Sequence, residues 1–271
     1  MTTVANMHTH SEFSHDSKAS IYEHALKAIE CGVNIFAVTD HADIQFYKER
    51  DILNNVLNSN KEAKRVNSLF ENKVKVLKGV ELGDALFAPE YAKELLSKGD
   101  FDVIILSVHD VRNEKIDIPF SNVDFSEFTE EELNEFINKY FDDLLKSLRT
   151  FPADIAAHLT LPLRYINGKH QLNIDSHNFE NKITEILKYL IENNIALEIN
   201  AAGYCGNFIP EKWVVEKYKA MGGYLITIGS DAHESRFLDN GLINILDTLK
   251  EIGFKKYYYF ENREAKEIEI E

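Results

Sequence analysis

Short runs of β-branched and other apolar residues alternate along this chain with longer amphipathic stretches. The runs predict buried strands over 3–7, 34–39, 73–79, 102–107, 154–156, 196–200 and 224–229. The stretches between them carry apolar residues at three- and four-residue spacing and predict helices over 21–30, 51–70, 89–96, 130–148, 179–192, 210–221 and 242–252. Both a βα barrel and a doubly wound sheet can be built from such units.

No Pro-, Gly- or Ser-rich linker interrupts the alternation, so we expect residues 1–271 to form a single domain. A chain of 271 residues that is 44% hydrophobic can bury a large core. The last stretch, 257–271, predicts a final strand followed by a charged end. The two cysteines, Cys31 and Cys205, form neither a disulfide framework nor a zinc-finger spacing.

The formal net charge is -15, from 30 Lys and Arg against 45 Asp and Glu. Such an excess of acidic residues argues against a general nucleic-acid-binding surface. No stretch reaches the roughly 20 apolar residues that cross a bilayer, and the polar N-terminus lacks the regions of a signal peptide. We therefore expect a cytoplasmic protein that binds neither nucleic acid nor a membrane.

Residue types that bind metals follow the apolar runs in almost every unit. They are His8 and His10, Asp40 and His41, Glu81, His109, His158, Glu198 and Asn200, and Asp231 and His233. One histidine at a strand end is better explained as a hydrogen-bonded core residue. Because the carboxyl ends of barrel strands converge on one face, repeated placement there predicts a shared site and favours the barrel.

The spacing within these motifs has a physical reason. Side chains two apart on a strand project to the same face, so His8 and His10 can chelate one cation, and Asp231 and His233 have the same spacing. Carboxylates can bridge two cations, and Glu81 is the best candidate bridge. Mixed nitrogen and oxygen ligation without a thiolate suits Zn, Mn or Fe.

Other polar residues near the strand ends are expected to support the ligands. We expect Asp40 to orient a ligand imidazole, Asn200 to assist in the same way, and Glu198 to have a structural role. Three further histidines are expected to lie outside the site: His24, His170 and His177.

In order along the chain, the motifs "HTH", "TDH", "GVELG", "SVHD", "AHL", "LEIN" and "SDAH" resemble the polymerase-and-histidinol-phosphatase (PHP) superfamily. The resemblance covers nearly the whole chain, and the ordered set is highly specific. It implies a distorted (β/α)7 TIM-like barrel with the metal site at the C-terminal ends of the strands. It also implies two or three divalent metal ions, with Zn, Mn and Fe as the candidates.

The resemblance further implies which residues bind each metal. The implied ligands are His8, His10, Glu81 and Asp231 for the first metal, Glu81, His109 and His158 for the second, and His41, His233 and one residue of "SHD" for the third. In histidinol phosphatases the last ligand tends to follow the second histidine by six residues, which selects Asp16 and leaves His15 beside it in the pocket or on its rim. Other branches place it at five residues, which selects His15.

Length and detail resemble the free-standing histidinol-phosphatase branch. This branch implies hydrolysis of a small phosphorylated metabolite, L-histidinol phosphate, to L-histidinol and phosphate in histidine biosynthesis, through attack of a metal-bridging hydroxide on phosphorus. Arg164 follows His158 by six residues, as in that branch, and a guanidinium there can bind phosphate bidentately. Arg236 is a weaker second candidate for the phosphate, and Arg112 is weaker again.

Two other functions remain open. A PHP-type nuclease or nucleotide phosphoesterase would use the same metals, although the acidity of the chain argues against it. A non-catalytic metal-binding barrel would keep the fold without turnover, although the nearly complete ligand set argues against it. The long segment 111–128, which follows His109, is a candidate lid over the site.

Overall fold

The first and last strands of the main sheet meet, and their contact closes the sheet. The computed structural model describes residues 3–113, 115–203 and 207–271, and Cys205 lies outside these ranges. In it, Met7 N donates to Ile228 O and Asp231 N donates to His8 O, both at 2.9 Å. A doubly wound sheet would leave these two edges apart, so the predicted barrel is confirmed.

The strands of the barrel run parallel in the order β1-β2-β4-β5-β6-β7-β8, and β3 also pairs with β4. Their bounds are β1 (Ala5–Asn6), β2 (Ile35–Val38), β3 (His41–Asp43), β4 (Lys75–Gly83), β5 (Val103–Ser107), β6 (Ile155–Ala156), β7 (Ala196–Asn200) and β8 (Ile226–Gly229). Val38 pairs with Lys78 and His41 pairs with Glu81, so β2 and β3 continue one another in the same register. The barrel therefore has seven strand positions.

The helices form the outer layer. Their bounds are α1 (Ile21–Cys31), α2 (Ile52–Leu69), α3 (Pro89–Lys98), α4 (Glu130–Thr150), α5 (Leu161–Leu163), α6 (Glu180–Asn193), α7 (Lys212–Ala220) and α8 (Leu242–Ile252). Capping boxes of Ser20 with Glu23 and of Thr129 with Glu132 begin α1 and α4. In the described ranges, no helix is long and apolar enough to span a membrane.

The predicted bounds of the seven long helices differ from these by no more than two residues at either end. The larger difference lies in β4, which continues four residues past the predicted end at Gly79 and so contains Glu81. Every residue of β2, β5 and β7 is buried, as expected for parallel strands covered on both faces. The last five residues of β4 are buried as well, so Glu81 is a charged residue inside a buried strand.

The candidate lid packs closely on the top of the barrel. Short helical turns at Phe120–Asn122 and Phe125–Glu127 place Phe120 and Phe125 in buried positions. Pro119 lines the cavity at the carboxyl ends of the strands, together with the turn that follows it. The segment thus forms one wall of the cavity, and its closing as a lid stays a prediction.

The C-terminal tail differs from its prediction. A strand was expected at its start, but the charged end also forms a strand, so that β9 (Lys256–Glu261) and β10 (Glu264–Glu269) make an antiparallel hairpin. Asn262 and Arg263 form the turn, with φ of 53° and 64°, which fits the right-handed twist of a hairpin. Alternation of charged residues with Ile268 and Ile270 was a signal for this second strand.

The hairpin covers the N-terminal end of the barrel, opposite the cavity. The Tyr257 hydroxyl accepts from Ala5 N and donates to Thr3 O, both at 2.9 Å. On the other side, Arg263 N donates to Asp102 O at 2.9 Å, and its guanidinium pairs with Asp154. The bottom of the barrel is thereby closed by polar as well as apolar contacts.

We expect Tyr257→Phe to lower the free energy of unfolding by about 1–3 kcal/mol, because it leaves the buried Ala5 N–H and the partly buried Thr3 carbonyl without these hydrogen bonds. Urea unfolding followed by circular dichroism measures the change. Tyr258→Phe is the matched control, because Tyr258 is the next residue of the same strand and is partly exposed. Its contact with Tyr224 is between rings, with the two centroids 5.9 Å apart. Equal stabilities of the two variants would contradict the role of the Tyr257 hydroxyl.

Candidate metal centre

Imidazoles and carboxylates converge at the carboxyl ends of the barrel strands. The converging residues are His8, His10, Asp16, His41, Glu81, His109, His158, Asp231 and His233. Most of them line a cavity of about 340 Å³, and His8 and His10 are fully buried below it. Every strand-end residue that the resemblance implied as a ligand lies in this cluster.

The first group lies deepest. The Nε2 atoms of His8 and His10 are 3.1 Å apart, and Asp231 Oδ1 lies 3.1 Å from His10 Nε2 and 3.7 Å from His8 Nε2. Glu81 Oε2 is 3.5 and 3.6 Å from the same two nitrogens. Four donor atoms of mixed type thus face one point, which is the arrangement of a divalent metal site.

The second group shares Glu81 with the first. Its Oε1 atom lies 2.9 Å from His158 Nε2 and 3.1 Å from His109 Nε2, and these two nitrogens are 3.5 Å apart. The two oxygens of Glu81 therefore face different groups, as a carboxylate that bridges two cations must.

The third group lies nearest the mouth of the cavity. His41 Nε2 and His233 Nε2 are 3.4 Å apart. Asp16 Oδ2 lies 3.3 Å from His233 Nε2 and 3.6 Å from His41 Nε2. His15 lines the same cavity and is about as exposed as Asp16 (40% against 42% of the side chain), but its ring centroid is 5.5 Å from that of His41. The structure thus brings Asp16 to the third group and leaves His15 on the rim.

The groups satisfy a chemical test for metal binding. Among the described residues, no hydrogen bond of normal geometry reaches the buried Glu81 Oε2, although His41 Nδ1 lies 2.8 Å from it. Three pairs of imidazole nitrogens approach one another at 3.1 to 3.5 Å. In each pair only one nitrogen can donate a hydrogen bond, and the other must offer a lone pair. Shared cations would satisfy both conditions, and several His and carboxylate sets in the cluster hold ligand atoms within 4.8 Å of one another. The centre is suited to divalent metals.

The backbone at two of these positions is strained. His158 and Asp231 have φ of 25° and 56°, in a region that non-glycine residues occupy at a cost of about 1–3 kcal/mol. Glu198 offsets part of this cost, since its Oε2 accepts from His158 N at 2.7 Å and its Oε1 lies 2.6 Å from His8 Nδ1. Asn200 Nδ2 donates to the same Oε2 at 3.2 Å. Glu198 therefore supports two candidate ligands, and Asn200 supports Glu198.

Asp40 does not contact an imidazole directly, so its predicted role changes in detail. It accepts from Ser11 N at 2.6 Å and from the Ser14 hydroxyl at 2.7 Å. The Ser14 hydroxyl lies 3.2 Å from His10 Nδ1 and accepts from His41 N at 3.0 Å. Asp40 is thus connected to two candidate ligands through Ser14.

The three histidines expected outside the site are not part of the cluster. The His24 ring is buried, with Nε2 2.8 Å from His10 O. His170 Nδ1 lies 3.2 Å from Asp124 Oδ1, and the His177 ring stacks on Trp213 with centroids 4.3 Å apart. His24 nevertheless contacts the backbone of a candidate ligand, which its position in a helix did not indicate.

Of the three arginines named for the phosphate, only Arg164 lines the cavity. Its Nη1 atom lies 3.7 Å from Asp231 Oδ2. Arg236 is 69% exposed and pairs with Glu234 at 2.9 Å, and Arg112 pairs with Asp110 at 3.0 Å. A guanidinium that the sequence analysis missed, Arg50, also lines the cavity.

A buried carboxylate was missed as well. Asp43 Oδ1 lies 2.9 Å from His109 Nδ1. The signal was present, because Asp43 follows His41 by two residues on one strand, the spacing that joins His8 to His10.

The electrostatics of the cluster suit metal binding. Burial alone would raise the pKa of Glu81, but the imidazoles of His109, His8 and His41 hold it well below its ordinary value. Burial would lower the pKa of His8, yet Glu198, Glu81 and Asp231 raise it well above the ordinary value. Without metal, the carboxylates are therefore ionised and several imidazoles carry the balancing protons.

This fold and this centre define a class of metal-dependent barrel protein. The PHP domain family matches residues 6–202, and the chain belongs to that family. It is 30% identical over 261 residues to a probable histidinol-phosphatase of Thermotoga maritima, covering 93% of this chain and 94% of that protein. It is 29% identical over 266 residues to a probable histidinol-phosphatase of Clostridium acetobutylicum, covering 96% and 98% of the two chains.

A solved structure has the same fold. The histidinol phosphate phosphatase of Lactococcus lactis, crystallised with zinc, L-histidinol and phosphate, superposes with a TM-score of 0.76 at 22% identity. The match covers 97% of this chain and 99% of that one. It supports the barrel architecture at full length.

We expect zinc binding to the metal-stripped protein to release protons at pH 7. The pKa values of His8, His41 and His109 are raised well above the ordinary value, so these imidazoles carry protons that a metal must displace. Zinc affinity should therefore fall as the pH falls, by about tenfold per pH unit for each proton released. Calorimetric titrations in buffers of different ionisation enthalpy count the protons, and heats that do not depend on the buffer would contradict the expectation.

Proposed function

We propose that this protein is a metal-dependent phosphomonoesterase that hydrolyses L-histidinol phosphate to L-histidinol and phosphate. Its membership of the PHP family and its full-length similarity to proteins named as probable histidinol-phosphatases support this substrate. The observation that carries the proposal is the joining of the imidazole and carboxylate cluster to the Arg164 guanidinium in one cavity. Zn, Mn or Fe, as two or three ions, suit the donor set.

The proposed ligands are those implied by the resemblance, with Asp16 completing the third set. Its Oδ2 atom faces both His41 and His233, whereas His15 stays on the rim of the cavity. Burial alone would raise the pKa of the Asp16 carboxyl, but hydrogen bonds and positive charge from His233 and His41 lower it. Asp16 would therefore be an anionic ligand at every physiological pH.

When bound, divalent cations supply a nucleophile from water and neutralise charge on the phosphoryl group. The residues of the chain bind and orient the ester. Among the described residues, Arg164 has a long contact to Asp231 at 3.7 Å and lies over the Tyr165 ring at 5.7 Å, which leaves donors for a phosphate oxygen. Arg50 extends along the cavity wall with its guanidinium over the Phe46 ring, 3.9 Å from the centroid, and is proposed as a second phosphate contact.

Apolar side chains also line the cavity. Phe46, Phe120, Leu161 and Tyr165 line it together with the polar residues of the turn after Pro119. A leaving alcohol with a flat ring would bury apolar surface there while its ester faced the metal cluster. A cavity lined by both apolar side chains and the metal cluster agrees with an aromatic phosphomonoester better than with a polymeric substrate.

We expect the metal-loaded protein to release phosphate from L-histidinol phosphate faster than from other small phosphate esters, and faster than it cleaves single-stranded DNA. His10→Ala should reduce turnover by more than about 100-fold, because a metal site contributes several kcal/mol of transition-state stabilisation. Assays run with Zn, Mn and Fe in turn measure both. The control is His177→Ala, whose half-exposed ring stacks on Trp213 and is not among the residues that line the cavity.

Two results would contradict the proposal. Preference for DNA would favour the nuclease, and metal binding without turnover on any ester would favour the non-catalytic barrel.

We expect Arg164→Ala to lower kcat/KM for the phosphate ester by roughly 10- to 100-fold, since a charge-assisted hydrogen bond contributes about 1.5–3 kcal/mol. Arg236→Ala is the matched control, because its side chain is exposed and pairs with Glu234. Steady-state kinetics and zinc content should be measured together. An equal loss in both variants, or none in either, would remove Arg164 from the phosphate site.

A further inference from the structure

Asp43 lies at the end of β3, beside the imidazole of His109. Its Oδ1 atom is 2.9 Å from His109 Nδ1, and its Oδ2 atom is 3.5 Å from Arg50 Nη1. The residue is only 5% exposed. A buried carboxylate is costly unless donors satisfy it, and here one oxygen faces an imidazole and the other a guanidinium. Asp43 is thus connected both to the metal cluster and to the wall of the cavity.

The two nitrogen atoms of His109 face different surroundings. Nε2 points into the second group, 3.1 Å from Glu81 Oε1 and 3.5 Å from His158 Nε2. A neutral imidazole has one N–H and one lone pair, so a proton held on Nδ1 leaves the lone pair on Nε2.

We propose that Asp43 is a positioning residue of the metal centre. It accepts a hydrogen bond from the Nδ1–H of His109 and so fixes the tautomer and ring direction in which Nε2 binds a metal. The inference rests on the metal centre of the proposed function and is independent of the substrate.

Gly83 makes this contact sterically feasible. A Cβ atom built on Gly83 would lie 2.5 Å from Asp43 Oδ1 and 3.2 Å from His109 Nδ1. The first distance is far inside van der Waals contact, so a side chain there would displace the carboxylate from the ring. The second glycine of the "GVELG" motif is therefore explained by the close approach of the Asp43 and His109 side chains.

Asp84 holds the backbone of the same histidine. Its Oδ1 accepts from His109 N at 2.8 Å and from Asp110 N at 3.0 Å, and its Oδ2 accepts from Gln45 Nε2 at 2.8 Å. Ligand atoms of Asp43, Asp84 and His109 lie within 4.8 Å of one another and could in principle surround a cation. The oxygens that face His109 already have N–H donors, which favours a hydrogen-bonded support over a further metal site.

The test is a zinc titration of metal-stripped wild type, Asp43→Asn and Asp43→Ala in competition with a chelator. Loss of a ligand's hydrogen-bonded support typically weakens metal binding by about 10- to 100-fold. We expect this loss for one zinc ion, and a greater loss in Asp43→Ala than in Asp43→Asn, because the amide oxygen of Asn can still accept a hydrogen bond from His109. In nitrogen-15 spectra of the zinc-loaded protein, a hydrogen-bonded imidazole N–H signal should be present in wild type and absent in Asp43→Ala.

Gly83→Ala should reproduce the loss of zinc affinity without altering Asp43 itself. Asp154→Asn is the control for destabilisation, since Asp154 is a buried carboxylate that accepts from Ile104 N at 2.7 Å at the other end of the barrel. It should lower stability and leave zinc affinity unchanged. Circular dichroism establishes that each variant is folded.

Wild-type zinc affinity in both Asp43 variants would overturn the proposal. It would also fail if both variants lost one whole ion and kept the remaining affinities, because Asp43 would then be a ligand. The titration uses zinc alone, so its result is separate from whether histidinol phosphate is the substrate.

Discussion

Glu81 is a fully buried carboxylate inside a parallel strand, and the rest of the site depends on how that charge is satisfied. Its oxygens face His41 Nδ1 at 2.8 Å, His158 Nε2 at 2.9 Å and His109 Nε2 at 3.1 Å. An imidazole can either carry a proton or give its lone pair to a metal. The same neighbours can therefore neutralise Glu81 before metals bind and share it with metals afterwards, whereas lysines could do only the first.

Around this inner layer of nitrogen atoms lies an outer layer of carboxylates. Glu198 faces His8 Nδ1 and Asp43 faces His109 Nδ1, in each case on the side of the ring away from the cluster. Asp40 is one step further out and connects through a serine hydroxyl. Acidic residues inside the barrel thus have two roles. Some are candidate metal ligands at the centre, and others are hydrogen-bond acceptors that orient the ligand imidazoles.

The strand-end rule explains why so much of the centre could be predicted from sequence. Parallel strands place their carboxyl ends on one face whatever the exact register, so His109 and His158 could be assigned to one site without coordinates. The rule gives no direction to residues in the loops beyond the strands. Arg164 and Arg236 both follow a predicted ligand closely, yet Arg236 lies in an exposed turn beside Glu234 and only Arg164 lines the cavity.

The misses have similar physical causes. Arg50 precedes a helix instead of following a strand, and its position depends on stacking over Phe46, a tertiary contact. Asp43 had a local signal, the alternation with His41, but its role depends on the space left by Gly83 on a neighbouring strand. The hairpin strand β10 lies at the bottom of the barrel with most of its charged residues exposed to solvent, which accommodates them.

A net charge of -15 is unfavourable for a cavity proposed to bind a phosphate ester. Screening limits the reach of exposed charges to about 8–10 Å at ordinary ionic strength, so the carboxylates on outer helix faces act weakly on the cavity. Two guanidiniums and the cations that the cluster is suited to hold determine the local field. The long contacts of Arg164 with Asp231 (3.7 Å) and of Arg50 with Asp43 (3.5 Å) place both guanidiniums without using all their donors. The carboxylates that support the metal centre thus also hold the groups suited to bind the anion.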